Sequence, residues 1–183
     1  MNLRTIGCIE LNSIGMGMLA ADEMVKAAEV SLVVARTTCP GRYLVIITGD
    51  VGAVKSSVEV GCQIGGDMVV DWFVIPSVHA DIVPALHGGG LGANLQAIGI
   101  IETSTSASCI NAADAAAKAA SVELLDIRFA SGLAGKAFLL LTGDVGSVKA
   151  AVEAGVAHVQ EVAPVLSHIV IPSPSEEFKA QLL

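Results

Sequence analysis

The sequence predicts an α/β (α+β) protein built from two tandem copies of a β-α-β-β-α-β unit. The first observation behind this is internal repetition. Ile6-Gly7-Cys8-Ile9-Glu10 returns as Ile98-Gly99-Ile100-Ile101-Glu102, and Ala20-Ala21-Asp22 returns as Ala112-Ala113-Asp114. Thr48-Gly49-Asp50-Val51-Gly52 returns as Thr142-Gly143-Asp144-Val145-Gly146, and Ile75-Pro76-Ser77 returns as Ile171-Pro172-Ser173. Recurrence of several motifs in the same order marks a duplicated structural unit. The second observation is that β-branched runs alternate with Ala-rich segments inside each copy. The third is length: 183 residues suit one large domain or two of about 90.

Each element has a local reason. The run at residues 5–11 is β-branched and reads as a strand. Residues 20–28 have helical composition, with Asp22 and Glu23 early and Lys26 late, as the helix dipole favours. Two apolar runs, 32–35 and 44–48, flank Thr37-Thr38-Cys39-Pro40-Gly41-Arg42-Tyr43. Pro fixes φ and Gly permits positive φ, so this is a turn with a thiol at its tip. Asp50 is placed to cap a helix over 54–62 by accepting from first-turn N–H groups. Residues 68–75 form the last strand, which Pro76 ends, and short helices are expected at 80–86 and 175–182. The order is the split β-α-β, or ferredoxin-like, arrangement. His87 and the glycine-rich residues after it read as a linker, giving domains at 1–90 and 95–183. The repeat spacing grows from 92 (Ile6 to Ile98) to 94 (Thr48 to Thr142) across the Cys39 turn, so that loop differs between copies.

Composition narrows the function. The apolar share is 53%, yet no uninterrupted apolar run reaches the roughly 18 residues of a membrane span. The surplus is expected at subunit interfaces. A net charge of −8 argues against nucleic-acid binding, which needs a basic face. The N-terminus leads straight into a strand-like run, so no signal peptide is expected. The four cysteines lack C-x-x-C spacing, which points to a reducing cytoplasm rather than a disulfide framework.

Candidate chemistry is sparse. Alone, Cys39 reads as a surface thiol or as a metal ligand, and a lone Cys lacks the usual metal-ligand spacing. The second copy has Ser131-Gly132-Leu133-Ala134 in the corresponding loop, without Cys. Cys8 matches Ile100, Cys62 matches Val156 and Cys109 matches Gly17, so these three read as packing residues. The repeated Gly-Asp-Val-Gly could bind phosphate at a helix N-terminus, but Asp50 and Asp144 would repel an anion, and capping is the better reading. Glu10 and Glu102 recur in the first strands; a carboxylate dyad is conceivable, and a hydrogen bond repeated by duplication is simpler. The four histidines share no pattern with a Cys or carboxylate, and no nucleophile–base set emerges, so an enzyme is not expected.

The two copies of I-G-x-I-E, A-A-D-x-x-x-K-A-A-x-V, G-D-V-x-x-V and I-P resemble the shell-protein domain of bacterial microcompartments. Two such domains in one chain resemble the tandem-domain shell proteins, whose trimers imitate a six-domain tile. The Thr38-Cys39-Pro40-Gly41-Arg42-Tyr43 loop is similar to that of the iron–sulfur T-type branch of propanediol-utilisation shell proteins. The resemblance implies a cytoplasmic microcompartment shell, a pseudohexameric homotrimer, other shell proteins as partners and encapsulated redox enzymes as further ones. It places Thr38, Cys39, Pro40 and Gly41, and in the second copy Ser131, Gly132, Leu133 and Ala134, around a central pore. It puts Lys26 and Lys118 at the tile edge. Where many single-domain tiles carry an Arg after the last Ile-Pro, this chain has Ser77 and Ser173. One Cys is too few for a [4Fe–4S] cluster, but a threefold axis supplies three Cys39 thiolates per trimer. Arg42 is then placed either to offset the cluster's negative charge or to face solvent. The alternatives are a metabolite-conducting pore without a cluster and a trimeric small-molecule-binding regulator.

Overall fold

A computed structural model describes residues 5–88, 95–129, 132 and 134–182. The chain forms two compact units. The first is built on residues up to Val78 together with Thr105–Ala107 and the described residues of the 130–135 loop; the second comprises the rest.

The first unit runs β1 (Thr5–Leu11), α1 (Ile14–Ala27), β2 (Val30–Thr38), β3 (Arg42–Gly49), α2 (Val51–Gly65), a 3-10 turn at Gly66–Met68 and β4 (Val69–Ile75). The sheet order is β2-β3-β1-β4 with every pair antiparallel. This is the ferredoxin-like topology: β1 and β2, joined by α1, lie apart with β3 between them. Strand β1 is buried throughout. Its Ile9 and Leu11 face the helices and pack with Ala20, Ala21 and Met24 of α1, Val54 and Val58 of α2, and Tyr43, Val45 and Ile47 of β3. Gly7, on the same side, leaves no room for a Cβ against Val58 and Val54. The helices are tied by the Ser57 hydroxyl, which donates to the Met24 carbonyl at 2.8 Å.

Two expectations for these helices need correction. Helix α1 starts at Ile14, not near residue 20, because Ser13 is extended (φ −159, ψ 124) and accepts from Met16 N. Asp22 and Glu23 are therefore mid-helix, not first-turn residues, and both pair with Lys26. Helix α2 starts at Val51, directly after Asp50; Asp50 holds the N-cap position but its carboxylate makes no capping bond. Asp144 does cap, accepting from Gly146 N at 2.9 Å and Ser147 N at 3.0 Å. The difference lies at one position: the Ser147 hydroxyl donates to Asp144, and its equivalent in the first copy is Ala53. Helix α2 stops at Gly65; the Gly66 N–H still donates to the Cys62 carbonyl, and the positive φ of Gly66, 48, turns the chain out of the helix.

The second unit runs α3 (Ile82–Ala85), β5 (Ala97–Thr103), α4 (Ser106–Ala119, whose first two residues belong to the first unit), β6 (Glu123–Arg128), β7 (Ala137–Gly143), α5 (Val145–Val159), β8 (Val165–Ile171) and α6 (Glu176–Leu182). Its order, β6-β7-β5-β8, copies the first sheet. Even irregularities recur: the register slips at Glu10/Leu11 and Glu102/Thr103, and at Leu32/Val34 and Leu124/Asp126. A second difference in length lies between α2 and β4, spanned by 66–68, and between α5 and β8, spanned by 160–164.

A size exchange separates the two copies. A Cβ on Gly17 would lie 2.3 Å from Tyr43 Cβ. At the equivalent positions stand Cys109 and Ala137, both fully buried. The larger side chain sits on the strand in one copy and on the helix in the other, which conserves volume. Several apolar side chains remain exposed, among them Met18 and Leu19 on α1, Trp72 on β4 and Ile169 on β8.

Candidate pore loop and buried carboxylate site

Strands β2 and β3 are longer than the sequence suggests, so the connection shrinks to Cys39-Pro40-Gly41. Gly41 has φ 98 and donates its N–H to the Thr38 carbonyl at 3.1 Å, closing the turn. The Cys39–Pro40 peptide is cis. Cys39 is a free thiol, partly exposed. Its Sγ accepts a hydrogen bond from Gly132 N at 3.4 Å. Gly135, with φ 92, offers a bare Cα side to Pro40: a Cβ there would lie 3.1 Å from Pro40 Cδ. The structure thus brings Gly132 against Cys39 within the first unit, joining residues 93 apart in sequence. Ala134 also has positive φ, 51. Ser131 and Leu133 lie outside the described residues. Thr38 is buried, and its Oγ1 has no hydrogen-bond partner among the described residues.

Arg42 follows the turn, and its Nη1 lies 3.1 Å from Glu10 Oε1. Glu10 is fully buried. Its other oxygen accepts from Ser106 N at 2.7 Å and Ala107 N at 3.2 Å. Burial pushes the Glu10 carboxyl above its usual range, against the opposing pull of the Ala107 bond and the Arg42 guanidinium. The equivalent pair in the second unit is Glu102 with Lys136, at 3.0 Å. The two glutamates are therefore anchors of a duplicated ion pair.

Lys26 is exposed at the last turn of α1 and bonds Asp22 and, at 3.2 Å, Glu23, which hold its ammonium above the usual range. Lys118 occupies the same place on α4 and pairs with Asp114. Cys8 is buried, and desolvation, then the nearby Glu10, pushes its thiol well up; Cys62 is raised by burial too. Cys109 is fully buried. Neutral buried thiols are packing groups. A shallow depression beside the second Gly-Asp-Val-Gly carries Glu123 and Asp144 on its wall, which disfavours phosphate. Among the described residues no group of three or more His, Cys, Asp or Glu is arranged to hold a metal within one chain. Among them too, no helix is long and apolar enough to cross a membrane.

Two antiparallel β-α-β-β-α-β sheets, with the same slips and the same Glu–cation pair, define a duplicated α/β domain protein. The chain belongs to the BMC domain family, the shell proteins of bacterial microcompartments, with matches at residues 5–78 and 97–174. It is 41% identical over 180 residues, 98% of each chain, to the bacterial microcompartment shell protein PduT of Citrobacter freundii. It is 36% identical over 87 residues to the carboxysome shell protein CsoS1 of Prochlorococcus marinus, covering 46% of this chain and 84% of that one. The crystal structure of a microcompartment protein from Desulfitobacterium hafniense matches with a TM-score of 0.87 at 45% identity, over 97% of this chain and 99% of that one. Proteins of this family are structural shell components, not enzymes, and the shell is where this chain resides.

Proposed function

We propose that the chain is a trimeric shell tile whose three Cys39 thiolates meet on the threefold axis and hold one [4Fe–4S] cluster at the pore. The reading takes residues 1–90 and 95–183 as the two shell domains. The observation that carries it is a partly exposed sulfur at the tip of a hairpin, with the Gly132 N–H aimed at it at 3.4 Å. A backbone N–H on a cysteine sulfur is a device that tunes iron–sulfur centres. The likeness to PduT over nearly the whole chain supports it. The bound cluster would supply one-electron chemistry at the shell wall, available to encapsulated redox enzymes. This chain's own residues position the sulfur: Gly41 closes the turn and Gly135 lets Pro40 seat. Arg42 holds the start of β3 through Glu10.

Thr38, Pro40, Gly41, Gly132 and Ala134 then line the pore, and Lys26 and Lys118 face neighbouring shell proteins at the tile edge. The exposed apolar side chains of α1, β4 and β8 are the surface available for such assembly. Light scattering on anaerobically purified protein, with iron analysis, tests the reading. The expected mass is three times 18.6 kDa, with one cluster per trimer. A trimer that takes up no iron and sulfide leaves a tile with an open metabolite pore.

A further inference from the structure

Glu10 uses both carboxylate oxygens. Oε1 meets Arg42, and Oε2 accepts from the N–H groups of Ser106 and Ala107, the first two residues of α4. Those donors have no intrahelical acceptor, and a helix start favours negative charge. The contact is closed to water: Glu10 and Ser106 are both 0% exposed.

Duplication assigns each participant a counterpart. At a spacing of 92, Glu10 corresponds to Glu102, Thr105 to Ser13, Ser106 to Ile14 and Ala107 to Gly15; at 94, Arg42 corresponds to Lys136. Half of the second contact is present, as Glu102 with Lys136. The other half is open. The Glu102 side chain is 30% exposed, Ile14 is 39% exposed, and Gly15 is exposed. Ser13 caps α1 by accepting from Met16 N, which leaves the N–H groups of Ile14 and Gly15 as the outstanding donors. The chain therefore holds one closed contact and both open halves of another.

We propose that Glu102 of one copy accepts from the Ile14 and Gly15 N–H groups at the start of α1 in the next copy. The partner is a second copy of this chain, chosen by the closed Glu10 contact and by the match of a carboxylate to a positive helix end. Each copy gives one half and receives the other, a head-to-tail contact that rotation closes into a ring. The inference rests on the trimer reading and names the contact that closes the trimer.

The test is dilution of the full chain, followed by mass photometry and sedimentation, for wild type, Glu102→Ala and Ile14→Pro. Proline removes the Ile14 N–H yet suits the first helical position, and the extended Ser13 before it tolerates it. Each variant is expected to raise the concentration for half-dissociation at least about tenfold, as loss of a charge-assisted bond requires. The double variant should be no worse than the more harmful single variant, well short of the sum of the two, because both remove one contact. Far-UV circular dichroism establishes folding for each; should one variant fail to fold, the other decides. A trimeric wild type with both folded variants dissociating at its own concentration overturns this contact and leaves the trimer intact. A monomeric wild type overturns the trimer reading and the contact with it.

Discussion

Glu10 Oε1 lies 3.1 Å from Arg42 Nη1, joining β1, an inner strand of the first sheet, to the residue that leads out of the Cys39 turn. Glu10→Ala strips Arg42 of this carboxylate and the Ser106 and Ala107 N–H groups of their acceptor. Breaking a buried pair of this kind costs about 3 kcal/mol. Urea denaturation should show a loss of that order; a change within about 0.5 kcal/mol, the scale of ordinary surface substitutions, would contradict the structural role.

The same residue gives stability a pH dependence. Burial raises the Glu10 carboxyl, so over the window above the ordinary glutamate range the folded chain keeps a proton that the unfolded chain has lost. Stability from this group is thus full below the unfolded value and falls as pH rises through the folded one. Urea midpoints of wild type relative to Glu10→Gln should decline across that window. A difference independent of pH would place the carboxyl at its ordinary value.

Gly17 and Tyr43 form a size-matched pair. Gly17→Ala drives a Cβ to 2.3 Å from Tyr43 Cβ, a backbone-near atom that cannot swing away. Overpacking of this sort costs about 1–3 kcal/mol. In the Tyr43→Ala background the same change should cost less, since the second copy already pairs Cys109 with Ala137. A thermal-denaturation double-mutant cycle should give a coupling above about 0.5 kcal/mol; strict additivity would refute the exchange.

Asp144→Ala should lower the urea midpoint more than Asp50→Ala, because only Asp144 bonds first-turn N–H groups. The Ser147 hydroxyl and then its N–H hold the Asp144 carboxyl below the usual range. Its stabilisation is present above the unfolded value and is lost as pH falls through the lowered one. Equal losses in the two variants at neutral pH would show that the caps are equivalent.

The duplication made the fold readable, since each strand and helix was legible twice and the two copies agree. Helix starts were less so. Ser13 gave a usable signal three residues before Met16, but the Asp22–Glu23–Lys26 cluster drew attention to the wrong turn. Cap type at Asp50 and Asp144 depended on Ala53 against Ser147, a contrast visible in sequence only when the helix start is known. At the site, Cys39 was singled out by its turn and by the likeness to T-type shell proteins. Its contact with Gly132 and the pairing of Arg42 with Glu10 were not, because residues 93 and 32 apart meet only through tertiary packing. The Glu10 hydrogen bonds to Ser106 and Ala107 had one signal, the recurrence of Glu at the same place in β1 and β5.

Anaerobic EPR after reconstitution with iron and sulfide, on wild type beside Cys39→Ser, tests the cluster reading most directly. The expected result is a brown protein whose signal, in the state where the cluster is paramagnetic, integrates to one [4Fe–4S] centre per trimer. Cys39→Ser should stay trimeric and lose the signal, because each substitution removes all three thiolates at once. A colourless wild type, or a cluster signal that survives in Cys39→Ser, would contradict it.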